Sequence, residues 1–311
     1  LNAGVVGSNG GVIATRNIVA QADLVFFIGC RAGSTTTEHW RFPSPNTNII
    51  HLDIDANTIG VNYKTHAPLF GDAKLTLELI NLLLQKQIIN RTKKVIDGKT
   101  LSLQSKEEKF APFLQLAQSN DSPIVPERIV HSLNRLLPKD AIICADPGTP
   151  CPYFSAYFLS DLPGRHFITN RAHGALGYAM SAAIGAAIGR PNLKSVAVMG
   201  DGSFGFTVGE LETITRRKLP ILMIVISNSV YGWIKASQKS GYDKRYFSVD
   251  FERTDHARVA AAYGIQSWRV DNPLQLDEVL KKAIESGAPA LVDIISQPLQ
   301  DAAAPVSQWM G

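Results

Sequence analysis

The sequence predicts an α/β protein built as two parallel-sheet, helix-covered units. Three observations lead there. Short runs such as 24–29 (LVFFIG), 195–199 (SVAVM) and 221–227 (ILMIVIS) are apolar at nearly every position, as strands buried on both faces must be. Longer segments with apolar residues at helical spacing separate these runs. With 45% hydrophobic and 19% charged residues, the 311-residue chain is globular in composition and long enough for two domains.

In chain order, residues 17–21 close a short helix, 24–29 and 48–53 (NIIHLD) are strands, and 72–84 repeats Leu and Ile at helical spacing. Residues 1–88 thus form a first α/β unit. Residues 89–122 are polar (Asn90-Arg-Thr-Lys-Lys, then SKEEK at 105–109) and read as a surface connector with some helix. The second unit, 123–311, begins with an amphipathic helix over 126–137, entered through Pro123 and Pro126. A strand at 141–144 (AIIC), a small-residue helix over 174–188 and the strand 195–199 follow. Next come a helix over 208–217, the strand 221–227, helices over 254–262 and 274–286, and a last strand at 290–295.

The net charge of +4 is mild and scattered, which argues against a nucleic-acid partner. No apolar run approaches the ~20 residues of a membrane span. Cys30, Cys144 and Cys151 have neither disulfide nor metal spacing. Cys30 and Cys144 end apolar strands and read as reduced core thiols, which fits a cytoplasmic protein.

In open parallel sheets, ligands sit beyond the carboxyl ends of the strands. Three loops there carry unusual residues: Ala145-Asp-Pro-Gly-Thr-Pro, Gly200-Asp-Gly-Ser and Asn228-Ser-Val-Tyr-Gly-Trp. Asp201 and Asn228 are one strand-to-strand crossover apart, so both should emerge at the same sheet edge on adjacent strands. A carboxylate, an amide oxygen and a loop carbonyl make a hard-oxygen half-shell suited to Mg²⁺ completed by phosphate oxygens. Gly200 and Gly202 would let backbone N–H groups approach those phosphates at a helix start. A lone GDG is common at ordinary turns. The strand before it, the helix after it and the strand-terminal Asn shift the balance.

The stretch GDGSFGFTVGELETITRRKLPILMIVISNS resembles the signature of thiamine-diphosphate-dependent enzymes, in the group of acetolactate synthase, pyruvate oxidase and benzoylformate decarboxylase. RAHGALGYAMSAAIGAAIGRP resembles that family's glycine-rich helix entry. IIHLDIDANTIGVN and HAPLFGDAKLTLELI resemble its central domain. The resemblance implies Asp201, Asn228 and the carbonyl of Val230 as ligands of Mg²⁺, with Ser227 replacing the first Asn of the usual pair. It implies Gly148, Thr149, Gly200, Gly202, Ser203, Tyr231 and Gly232 around thiamine diphosphate. Pro150, lacking an N–H, removes one contact that some members make. Leu176 matches the apolar residue wedged between the cofactor's rings, although ordinary core in a small-residue helix is its bland reading. Ser181 stands where the family often has Pro.

Trp233 and Ser237 match a stretch that lines the substrate pocket in relatives. The small Ser237 replaces a Trp found in enzymes that favour 2-ketobutyrate, so no strong preference for that acceptor is expected. His173, beside the cofactor loop, reads as a substrate-facing residue or, equally, as a turn histidine, and Glu210 and Glu212 read as ordinary helix-start charges. Asp53 and Asp55 follow a strand where some relatives bind FAD, but the wider FAD pattern is poorly matched and FAD is not favoured.

The activity implied is decarboxylation of a small 2-keto acid with transfer of the remaining unit to an acceptor, as in acetolactate synthase. Simple 2-keto acid decarboxylation and a non-catalytic cofactor-binding scaffold are the alternatives. Family members are homodimers or homotetramers, and their activating glutamate comes from an N-terminal domain across a dimer interface. Nothing here resembles that domain, and the chain opens on a glycine-rich LNAGVVGSNGG that reads as the middle of a domain. These 311 residues are therefore expected to be inert alone. Assayed with thiamine diphosphate, Mg²⁺ and pyruvate beside a chain extended upstream, only the longer protein should turn over. Comparable turnover by the shorter one would mean that an acid within it replaces the glutamate.

Overall fold

A computed structural model describes residues 1–86, 97–302 and 304–306. The chain divides into two compact units, Leu1–Lys109 and Phe110–Gly311. The polar run 90–94 that marked the expected connector lies outside the described residues. Among the described residues, no helix is long and apolar enough to cross a membrane.

The first unit contains α1 (Ile13–Ala20), β1 (Leu24–Ile28), α2 (Ser34–Thr37), β2 (Asn48–Asp53), β3 (Ala67–Phe70) and α3 (Ala73–Gln85). The strands form a parallel sheet in the order β1-β2-β3. β3 was not anticipated: it is four residues long, half-exposed and carries Pro68. A proline cannot donate to a ladder and is tolerated at an edge strand, which is where β3 lies. Phe27, Ala32, Ile49 and Tyr63 form the small core. Asp72 caps α3 by accepting from the Leu75 N–H at 3.0 Å.

α4 (Gly98–Ala117) occupies much of the stretch read as a connector, with Pro112 inside it. The second unit then runs α5 (Pro126–Leu136), β4 (Ile142–Ala145), α6 (Pro150–Tyr157), β5 (Phe167–Ile168), α7 (Tyr178–Gly189), β6 (Ser195–Gly200), α8 (Asp201–Thr207), α9 (Glu210–Arg216), β7 (Leu222–Ser227), α10 (Gly232–Gly241), α11 (His256–Ala262), β8 (Gln266–Val270), α12 (Leu276–Glu285) and β9 (Ala290–Ile295). Its six strands are all parallel, in the order β5-β4-β6-β7-β9-β8. Every residue of β4, β7 and β9 is buried, which is why their sequences are apolar runs. The edge strands escaped the sequence reading: β5 has two residues, and β8 (QSWRV) is half-exposed.

Two helix boundaries differ from expectation. The helix expected from Gly174 starts at Tyr178, because Gly177 has φ +86 and ends a turn rather than continuing a helix. The helix expected over 208–217 is α9, beginning at Glu210, and a separate helix α8 starts directly on Asp201.

From β4 the chain passes to β5 on one side of the sheet and then crosses to β6 on the other. The carboxyl ends of β4 and β6 therefore flank the switch point of the sheet, the ordinary place for a ligand crevice.

One buried acid lies away from that edge. Glu127, in the first turn of α5, is 1% exposed, and burial pushes its carboxyl up to about 7. A carboxyl whose folded pKa is raised supports the fold while protonated, so this contribution is lost as pH rises from about 4.5 through about 7. Urea unfolding of the protein should show stability falling across that window, by on the order of 3 kcal/mol from this group. Glu127→Gln should remove that share of the slope; an identical slope in the variant would contradict the assignment.

Candidate functional site

β4, β6 and β7 are neighbours in the sheet, and they end at Ala145, Gly200 and Ser227. The register sets Gly200 beside Ile226, so Asp201 emerges next to the turn that leaves β7. One oxygen of its carboxylate accepts from the N–H groups of Asn228 at 2.8 Å and Ser229 at 2.6 Å. The other accepts from the Gly202 N–H at 2.9 Å. Burial pushes the Asp201 carboxyl up, against the pull of those three N–H groups and of His256. The turn itself is tight: Ser229 has φ +57, and Asn228 Oδ1 accepts from the Val230 N–H at 3.3 Å. Asn228 Nδ2 is buried with no partner among the described residues.

Glycines allow the loops to close on one another. A Cβ on Gly202 would stand 2.7 Å from Tyr231 Cε1, and one on Gly232 would stand 3.0 Å from Thr149 Oγ1. Gly148 faces Leu176 Cδ2 and Ser203 Oγ at ordinary contact distance. The result is a cleft lined by Gly148, Thr149, Leu176, Gly200, Asp201, Gly202, Ser203, Val230, Tyr231, Gly232, Trp233 and Ile234. All the residues expected at the cofactor are thus brought together. Asn228 lies in the turn that forms the cleft wall, and Ser237 lines an adjoining cavity with Trp233.

Leu176 reaches the cleft from a turn and not from the helix first expected there. The turn is closed by the Gly174 N–H donating to Asn170 O at 2.8 Å and by Asn170 Nδ2 donating to Ala175 O at 2.9 Å. Beneath it lies Asp146, fully buried, whose Oδ1 accepts from the Ala179 N–H at 3.3 Å, at the start of α7. Burial pushes the Asp146 carboxyl up to about 6, and the N–H groups of Ala179, Tyr178 and Gly177 pull it back. Sequence reasoning singled out the Asp146 loop for Gly148 and Thr149 and gave the acid no role. Arg171 was missed as well: its Nη1 donates to Pro147 O at 2.9 Å, and its guanidinium lies 5.9 Å from the Trp233 ring centre.

Behind the Asn228 turn is a buried polar cluster. Ser227 Oγ donates to Asp293 Oδ1 at 2.5 Å and lies 3.1 Å from His256 Nδ1. The His256 N–H donates to Asp293 Oδ2 at 3.1 Å. Ser227, which the resemblance sets in place of an Asn, therefore fixes the end of β7 to β9.

The remaining candidates fall elsewhere. His173 is exposed and does not line the cleft. Glu212 pairs with Arg216 at 2.8 Å on the surface, and Glu210 is half-buried. Asp53 and Asp55 accept from the N–H groups of Asp55 and Asn57 in the turn after β2.

The family profile for the thiamine pyrophosphate enzyme C-terminal TPP binding domain matches residues 146–294, and that for the thiamine pyrophosphate enzyme central domain matches 1–80. A probable acetolactate synthase large subunit of Methanococcus aeolicus is 30% identical over 303 residues, 95% of this chain and 50% of the relative. The acetolactate synthase isozyme 3 large subunit of Escherichia coli K12 is 28% identical, over 85% of this chain and 46% of the relative. A probable sulfoacetaldehyde acetyltransferase of Rhizobium meliloti is 27% identical, over 95% and 53%. The chain spans about half the length of these relatives. It belongs to the thiamine-pyrophosphate-dependent enzymes, and acetolactate synthase large subunits are among the relatives it resembles.

Asp201 ties two strand ends through three N–H groups, so its loss should be felt without any ligand. Asp201→Ala should lower unfolding free energy by about 2–4 kcal/mol. Denaturant titration checks this, and an unchanged midpoint would mean the N–H groups find other partners.

Proposed function

We propose that the complete protein decarboxylates a small 2-keto acid and transfers the remaining unit to an acceptor, as an acetolactate synthase-like transferase. The observation that carries this reading is the convergence of the strand-end loops on one cleft, with Asp201 and Val230 in its lining and Asn228 in the turn that joins them. Asp201, Asn228 Oδ1 and the Val230 carbonyl form a hard-oxygen donor set with a single negative charge. Such a set fits Mg²⁺ when a diphosphate supplies the rest of the shell. The unpartnered Asn228 side-chain amide supports a further group beside it. Gly202 and Ser203, in the first turn of α8, are placed to donate to diphosphate oxygens, and the helix start favours that charge.

Thiamine diphosphate held there supplies the electron sink that decarboxylation of a 2-keto acid requires. The chain's own residues do the positioning. Leu176, held from below by Asp146 and the Gly177 turn, offers an apolar wedge to the cofactor's rings. Trp233 and Ile234 wall the cleft on the side of the adjoining cavity. Asp201 is the one acid among the described residues that line the cleft, and it is occupied with backbone N–H groups. The exposed Phe206 and Ile188, near the cleft and on α7, support a homo-oligomer that covers them.

Asn228→Ala in the full-length protein removes the amide donor and leaves the Asp201 bonds to the backbone in place. It should weaken Mg²⁺-dependent thiamine diphosphate binding at least tenfold by calorimetry and abolish CO₂ release from pyruvate at ordinary Mg²⁺. Wild-type affinity in this variant would remove the metal site from the reading.

A further inference from the structure

Past Trp233 and Ile234, which line both spaces, the cleft adjoins a second, solvent-open cavity. Its walls include Phe247, Ser237, Gln238 and Arg245. The loop that carries Arg245 is built with care. Gln238 spends both ends of its amide on Phe247: Nε2 donates to the Phe247 carbonyl at 3.2 Å, and Oε1 accepts from its N–H at 3.0 Å. The Lys244 N–H donates to Gln238 O at 3.2 Å. These bonds hold Asp243, Lys244 and Ser248 at φ +51, +61 and +53, a region non-glycine residues rarely occupy. Arg245 is oriented by its Nε, which donates to Tyr242 O at 3.1 Å. Its two terminal amino groups have no carboxylate partner among the described residues.

We infer that this cavity is an anion subsite, in which Arg245 receives a second carboxylate at the end of the substrate remote from its reacting carbonyl. The guanidinium presents two parallel N–H donors that match the two oxygens of a carboxylate. Trp233, Ile234 and Phe247 supply apolar wall for a methylene spacer. Ser237, with its small side chain, lines the same cavity as Arg245. The substrate class that fits is a dicarboxylic 2-keto acid with a short methylene chain. The inference rests on the proposed function for which end of the substrate reacts, but the subsite can be tested apart from it.

Glutarate and pentanoate have the same chain length and no keto group to react, and they differ by one terminal carboxylate. Calorimetric titration of the full-length protein, with and without thiamine diphosphate and Mg²⁺, should show tighter binding of glutarate. Because Arg245 is exposed, the preference should be about three- to tenfold. Arg245→Ala should erase the preference and leave pentanoate unchanged, and Arg245→Lys should keep part of it. Equal affinities in the wild type, undetectable glutarate binding, or equal loss for both ligands in Arg245→Ala would each overturn the subsite. Failure of thiamine diphosphate to bind in the same instrument would overturn the proposed function instead, and the comparison of the two acids would still decide the subsite.

Discussion

The candidate site depends on one carboxylate. Asp201 stands at the junction of a strand end and a helix start, and its oxygens collect N–H groups from its own helix and from the turn leaving the neighbouring strand. Burial raises the pKa of this carboxyl, and the backbone donors, with His256, offset part of that. The same bonds that make the charge tolerable draw the β6 and β7 loops together. They give Asn228 and Val230 their place, and on either side of Val230 the Tyr231 N–H donates to Val249 O and Ser229 O accepts from the Phe251 N–H. Fold and donor set are therefore a single arrangement.

The arrangement is supported from behind. Asp293 at the centre of β9 is fully buried and is shared by Ser227 and the His256 backbone. Removing one partner of such a cluster leaves the others desolvated and unpaired, so its members act as a unit. On the opposite flank Asp146 does for the Leu176 turn what Asp201 does for the Asn228 turn. Each is an acid at a strand end that accepts from the N–H groups of a neighbouring segment. The two acids frame the switch point of the sheet.

Much of this was legible in the sequence because parallel strands buried on both faces are apolar throughout, and the loops that follow them are short. β6, β7 and β9 announced themselves this way, and the spacing from Asp201 to Asn228 could then be read as one crossover. The edge strands were not legible, since β3 and β5 are too short and β8 too exposed to carry a period. Leu176 was placed in the cleft for the right residue but on the wrong element, because small residues from Gly174 onward look helical until the φ of Gly177 is known. Asp146, Gln238 and Arg245 were invisible for another reason. Their roles come from contacts with segments distant in sequence or from loop geometry, and no local pattern encodes either.

The central claim is that the strand-end cleft of the second unit holds a magnesium diphosphate. The most direct measurement is a crystal structure of the full-length protein grown with thiamine diphosphate and Mg²⁺. The account predicts electron density for a metal coordinated by Asp201, Asn228 Oδ1 and the Val230 carbonyl, with the diphosphate against Gly202 and Ser203 and the bent cofactor over Leu176. Cofactor bound elsewhere, or a diphosphate in this cleft with no metal on Asp201 and Asn228, would contradict it.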